Sequence, residues 1–182
     1  MRALLMFVVL FTSLHALADA KSGEKKAQMC LLCHKPGNPM AAAPLLEAQP
    51  SKYLVAATTE YKTGKRPDPV MKSNVARLSA RDIKDIADYF ASRPAVAGVF
   101  ATDPTKVATG ETRVAELKCA ACHGATFAGA ETIPRLAGQT TGYLISEMEA
   151  FASRRRAHPS IETPFNKMVD IEAIANYFTS LK

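Results

Sequence analysis

Two pentapeptides constrain this chain more than anything else in it: Cys30-Leu-Leu-Cys33-His34 and Cys119-Ala-Ala-Cys122-His123. Together they use all 4 cysteines of its 182 residues. Three chemistries employ a Cys-x-x-Cys pair. A dithiol redox pair belongs beside a βαβ pattern, and no strand pattern flanks either motif. A structural Cys₄ zinc site usually draws its pairs from closer together than the 89 residues between these, and it has no use for the histidines. Attachment of c-type haem accounts for every position. The two thiols form thioethers with the haem vinyl groups, and the adjacent imidazole becomes the proximal iron ligand. Cys30, Cys33, Cys119 and Cys122 are therefore the expected attachment points of two covalent haem c groups, with His34 and His123 on the irons.

The start of the chain suits that chemistry, because c-type haem is attached outside the cytoplasm. Residues 1–20, MRALLMFVVLFTSLHALADA, hold one basic residue, an apolar run from Leu4 to about Leu17, and small residues at the end. This is the pattern of a secretory signal peptide, with cleavage expected after Ala20 and Ala18 as the alternative. The run falls short of the ~20 apolar residues of a membrane span. No later stretch is apolar enough to span, so the mature chain is expected to be periplasmic and without a transmembrane segment.

The remainder repeats itself. PLLEAQPSKYLVAATTEYKTGKR (Pro44 to Arg66) matches PRLAGQTTGYLISEMEAFASRRR (Pro134 to Arg156) at an offset of 90. Within it Leu46/Leu136, Gln49/Gln139, Tyr53/Tyr143, Leu54/Leu144 and Arg66/Arg156 coincide. DIKDIADYF (Asp82 to Phe90) matches DIEAIANYF (Asp170 to Phe178) at 88. Such self-similarity means two copies of one unit. The expected domains are residues 21–98 and 99–182, divided within Arg93 to Lys106. Each copy reads as helix alone, so the fold class is all-α. Helices are expected at about Gly23–Met29 and Thr109–Leu117, Ser51–Thr63 and Thr141–Ser153, and Ser79–Ala91 and Asp170–Leu181. In the last pair Ile83, Ile86, Ala87 and Phe90, and Ile171, Ile174, Ala175 and Phe178, recur at i, i+3, i+4, i+7, one apolar stripe per helix. Ser79 and Asp82 resemble a capping box. Units this small bury little surface by themselves, so a cofactor is expected to help hold each together.

The motifs CLLCH and CAACHG, with PRLAGQTTGYL, YKTGKRPDPVM and the two DIxxIAxYF segments, resemble the dihaem class I cytochromes c. The likeness is strongest to the c4 type and to the cytochrome subunit of flavocytochrome c sulfide dehydrogenase, and it covers nearly the whole mature chain. It implies two tandem cytochrome c domains that pass electrons. It also implies a methionine as sixth iron ligand in the loop after the middle helix. Met71, in RPDPVM, stands in that place, 37 residues after His34. A methionine there also has the simpler reading of a gap filler in the core.

The second copy departs from the pattern. Aligning DPVM with HPSI puts Ile161, which cannot coordinate iron, opposite Met71. His158 lies 35 residues after His123 and 13 before Ile171, close to the 37 and 12 of Met71. Met168 lies 45 after His123, at the start of the last helix. Three readings stay open: His158 as sixth ligand, Met168 as sixth ligand, or an iron with no protein ligand on that face. A bis-histidine second haem would have a lower potential than a His/Met first haem.

Residues 21–98 carry 13 basic and 7 acidic side chains, and residues 99–182 carry 9 of each. An acidic surface on a redox partner, a dehydrogenase or a terminal oxidase, is expected to meet the first domain. Arg154 to Arg156 read as a solvated face or as partners of haem propionates, and nothing resembles a nucleic-acid module. The leading function is a dihaem electron carrier. The alternatives are the haem subunit of a flavoprotein (sulfide) dehydrogenase, a haem enzyme working at an open second iron with His158 or Glu162 as acid or base, and a ligand sensor.

Overall fold

The computed structural model describes residues 22–37, 43–96, 100–158 and 168–182, the side chains of the last segment from Asp170 onward. The expected signal peptide, the boundary between residues 98 and 99, Ile161 and Glu162 lie outside the described residues. The elements are α1 (22–27), α2 (Leu31–His34), α3 (Ser51–Thr63), α4 (Pro69–Val75), α5 (Ala80–Ser92), α6 (Pro104–Glu116), α7 (Ala120–His123), α8 (Thr141–Ala152) and α9 (Met168–Ser180). Among the described residues there is no strand, only an isolated bridge between Ala130 and Ile133. The order α1, α2, α3, α5 is repeated as α6, α7, α8, α9, an all-α tandem as the repeat implies.

Local chemistry sets the helix ends. Ser79 and Asp82 close the expected capping box on α5: the Asp82 N–H donates to Ser79 Oγ at 3.1 Å, and the Ser79 N–H donates to Asp82 Oδ2 at 2.9 Å. Two elements differ from expectation. α6 begins five residues before Thr109, inside the segment read as linker, because Asp103 caps it and Pro104 occupies its first position, where a missing N–H costs nothing. The sequence places Met71 in a loop, whereas the structure places it on α4. There Asp68 Oδ1 accepts the Met71 N–H at 2.8 Å and Pro69 starts the turn.

Each half is clamped where its first and last long helices cross. A Cβ on Gly23 would stand 2.0 Å from the Asp85 carbonyl oxygen of α5, and one on Gly110 would stand 2.1 Å from the Ala173 carbonyl oxygen of α9. Only glycine lets the backbones approach this far. Around the crossings lie two cores. One gathers Ala27, Leu54, Ala87 and Phe90; the other gathers Val114, Phe127, Leu144, Met148, Ile171, Ile174, Ala175 and Phe178. The stripes read from the sequence are the buried faces of α5 and α9. Salt links reinforce the first crossing: Lys26 Nζ lies 2.6 Å from both Asp82 Oδ1 and Asp85 Oδ2.

The halves meet through polar contacts. Arg66, buried, donates to Tyr143 Oη at 3.0 Å, pairs with Glu147 and stacks on Tyr61 at 4.5 Å. Arg156 pairs with the same Glu147, while Arg154 and Arg155 are exposed. The third arginine of that run thus braces the second half rather than joining the solvated face.

Gly110→Ala tests the crossing. Helix propensity alone would favour alanine by about 1 kcal/mol. The clash with Ala173 is expected to reverse the sign and lower stability by about 1–3 kcal/mol, read by thermal melts of the holoprotein. Asp82 gives a second test. Its hydrogen bond from Lys26, then those from Ser79, hold its carboxyl well below the usual carboxylate range. A depressed carboxyl contributes stability that is present above the unfolded value of about 3.9 and lost as pH falls through the folded one. The melting temperature of Asp82→Asn is therefore expected to vary less with pH on the acid side than that of the parent.

Candidate functional site

The two haem-binding motifs each wind into one turn of helix. The His34 N–H donates to the Cys30 carbonyl at 2.9 Å, and the His123 N–H donates to the Cys119 carbonyl at 3.0 Å. One turn puts residues three and four apart on a common face, so the second thiol and the histidine of each motif lie over the first. No disulfide joins Cys30, Cys33, Cys119 and Cys122. Burial pushes the Cys30 and Cys119 thiols up. Among the described residues no group of three or more His, Cys, Asp or Glu side chains is placed to hold a metal ion by itself.

Both histidines are buried, and both are tied in the same way. His34 Nδ1 lies 2.8 Å from the Pro44 carbonyl oxygen, and His123 Nδ1 lies 2.9 Å from that of Pro134. A carbonyl only accepts, so Nδ1 carries the proton and Nε2 keeps its lone pair for a metal. Burial lowers the pKa of both rings, against the opposing pull of the carbonyls, and so favours the neutral imidazole a metal requires. Cysteine pairs that no disulfide closes, neutral rings and a fixed tautomer together suit covalent haem in each half.

His158 lies close to His123. Its ring centre lies 6.3 Å from that of His123, with 36° between the planes. Two imidazoles sharing one metal at nitrogen distances of about 2.0–2.1 Å have ring centres about 6 Å apart. His158 also stands edge-to-face on Phe151, at 5.0 Å and 85°, and the Arg156 guanidinium lies over the same ring, 4.9 Å from its centre. Burial, then the neighbouring His123 and Arg156, lower its pKa. Met71 is half-buried on α4, which packs against α3. Met168 opens α9, and its side chain lies outside the described residues.

Sequence reasoning missed the groups that position these ligands. Pro44 and Pro134 are visible as a repeated pair, but a carbonyl has no signature of its own. Phe151 reads as an ordinary core aromatic. Glu47, buried, lies near enough to His34 to act on its charge, and its Oε2 has no hydrogen-bond partner. The nearest sequence signal is that Glu47 falls within the repeated segment.

A tandem all-α scaffold with two such motifs, each presenting a neutral imidazole beside paired thiols, defines a dihaem c-type cytochrome. The cytochrome c family profile matches residues 107–182. Cytochrome c4 of Pseudomonas aeruginosa is 33% identical over 92% of this chain and 90% of its own length. A thiosulfate dehydrogenase electron acceptor of Thiomonas intermedia is 30% identical over 72% of this chain and 66% of its own. The crystal structure of reduced recombinant cytochrome c4 from Pseudomonas stutzeri superposes with a TM-score of 0.79 at 26% identity, covering 90% of this chain and 98% of that one. The chain belongs to the cytochrome c4 family: it carries two covalently bound haem c groups and acts in electron transfer.

Proposed function

We propose that this protein works in the periplasm with unequal irons, His34 and Met71 ligating the first and His123 and His158 the second, and that electrons arrive at the second haem and leave from the first. The haem supplies reversible one-electron storage; the chain supplies its attachment, axial ligands and surroundings. The observation that carries the reading is the 6.3 Å between the rings of His123 and His158. Phe151 supports it by holding His158 in place, and the capped turn of α4 supports the role of Met71. A thioether favours ferrous iron more than an imidazole does, so the ligand sets order the two potentials. A dehydrogenase is the donor class, in keeping with the relative named as a thiosulfate dehydrogenase electron acceptor. Among the described residues no helix is long and apolar enough to cross a membrane.

Paramagnetic and optical spectra of the holoprotein test the ligands. One haem is expected to show the red-region methionine–iron band and the other a low-spin bis-histidine signal. His158→Ala is expected to abolish the second signal and open that iron to carbon monoxide. His158→Met is expected to raise the lower of the two midpoint potentials. If Met168→Ala changes the second haem and His158→Ala does not, Met168 is the ligand.

The acceptor is proposed to dock on the first domain. Among the described residues Met29, Leu32 and Val70 are the exposed large apolar ones. The first two flank Cys30 and Cys33, and the third adjoins Met71. Exposed Lys35 and Lys72 lie beside them in sequence, in the domain that carries the net positive charge. Such a surface steers an acidic partner, with an on-rate that falls as salt rises. Ferricyanide and a cationic cobalt complex serve as probes of opposite charge. Ferricyanide is expected to oxidise the first haem faster, and added salt should narrow the difference. Lys35→Glu with Lys72→Glu should narrow it further, while Lys118→Glu in the second domain should not.

A further inference from the structure

The loop that holds each proximal histidine is itself held by the other half of the molecule. The Leu45 N–H donates to Gln139 Oε1 at 2.8 Å, and Gln139 Nε2 donates back to the Leu45 carbonyl at 2.9 Å. In the opposite direction, the Arg135 N–H donates to Gln49 Oε1 at 2.9 Å and Gln49 Nε2 donates to the Arg135 carbonyl at 2.9 Å. Leu45, Gln49, Arg135 and Gln139 are all buried. The two glutamines occupy equivalent places in the repeat, as do Leu45 and Arg135.

The peptide group between Pro44 and Leu45 makes this more than a packing contact. It is one planar, conjugated unit. Its oxygen accepts from His34 Nδ1, and its N–H donates to Gln139. The peptide group between Pro134 and Arg135 joins His123 to Gln49 in the same way. Hydrogen bonds in series polarise one another in a low-dielectric interior. Drawing the peptide N–H toward an acceptor makes the carbonyl a stronger acceptor and the imidazole a more electron-rich ligand. Groups that hydrogen-bond a ligating histidine raise its basicity and tune the metal.

We infer that Gln139 is a positioning residue for the first haem and Gln49 for the second, so that each domain completes the outer shell of the other's proximal histidine. This rests on His34 and His123 as the proximal ligands and is independent of what ligates the far faces. A more electron-rich imidazole favours ferric iron, so loss of the glutamine raises the potential of the haem it serves. The effect crosses the domain boundary.

Spectroelectrochemistry of the holoprotein, with the two haems resolved, tests the crossing. Gln139→Met is expected to raise the midpoint of the first haem and leave the second in place. Gln49→Met is expected to do the reverse. In each variant the hyperfine-shifted Nδ1–H resonance of the histidine in the other domain should move and its exchange with solvent should quicken. Gln139→Glu, protonated when buried, keeps both an acceptor and a donor and should restore the first midpoint in part. Arg66→Met is the control: it removes the pair with Glu147 but touches neither peptide group, so it loosens the same interface without the crossed pattern. Both midpoints moving together in every variant would reduce the glutamines to domain packing and overturn the proposal, and so would midpoints that stay unchanged. Failure of the bis-histidine assignment would appear separately, in the parent spectrum, and leave the arm that runs from Gln139 to His34 standing.

Discussion

The hydrogen bond from a histidine Nδ1 to a proline carbonyl is the interaction on which the rest of this structure turns. It chooses the tautomer, leaves the Nε2 lone pair available to a metal and restrains the ring. It also ties the haem-binding turn to the loop that leads into α3 or α8. That loop is pinned in turn to the last helix of each half, by the Ala48 N–H on the Phe90 carbonyl at 3.0 Å and the Gly138 N–H on the Phe178 carbonyl at 2.7 Å. Each of these histidines is thus connected through two hydrogen bonds to the α1–α5 or α6–α9 crossing, which Gly23 and Gly110 bring into direct backbone contact. Small helical units with modest cores gain order from a cofactor, and here the ligand geometry is part of the core rather than an attachment to it.

The halves associate as the two copies of an isologous dimer do, each offering the same residues to its partner. Gln49 grips the peptide next to Pro134 and Gln139 grips the peptide next to Pro44. The contact is buried but polar, and its donors and acceptors are matched in pairs, so breaking one member strands another in a dry site at a cost of about 1–3 kcal/mol. Such an interface holds one relative arrangement of the haem-bearing loops. Arg66, Tyr143, Glu147 and Arg156 add a second polar cluster beside it, in which one carboxylate serves two guanidiniums.

On this repeated frame the copies share some features and diverge in others. The haem-binding turns, the proline carbonyls and the glutamines are retained. The sequence that holds Met71 on a capped turn in the first half is not repeated in the second, where the His158 ring lies 6.3 Å from that of His123. The charge diverges too: the basic excess and the exposed Met29, Leu32 and Val70 all belong to the first half. The duplicated halves thus share their proximal sites and differ in surface charge.

Much of this was legible along the chain. Two CxxCH motifs name the cofactor because no other chemistry uses two thiols and the next imidazole at that spacing. The apolar stripes of α5 and α9 follow from helical periodicity, and the Ser79–Asp82 cap from its residue types. The early start of α6 and the short α4 were also written there, as Asp-Pro pairs, but weakly, since the same pairs begin turns as well as helices. The sequence by itself determined the haem, the helical class and the duplication, because these depend on covalent spacing and periodicity within short segments. Only the tertiary structure decided that the His158 ring lies 6.3 Å from that of His123 and that each glutamine reaches the other domain's peptide. Those pairings join residues 35 to 94 positions apart, and contacts across such distances are set by how helices pack, not by anything one segment carries.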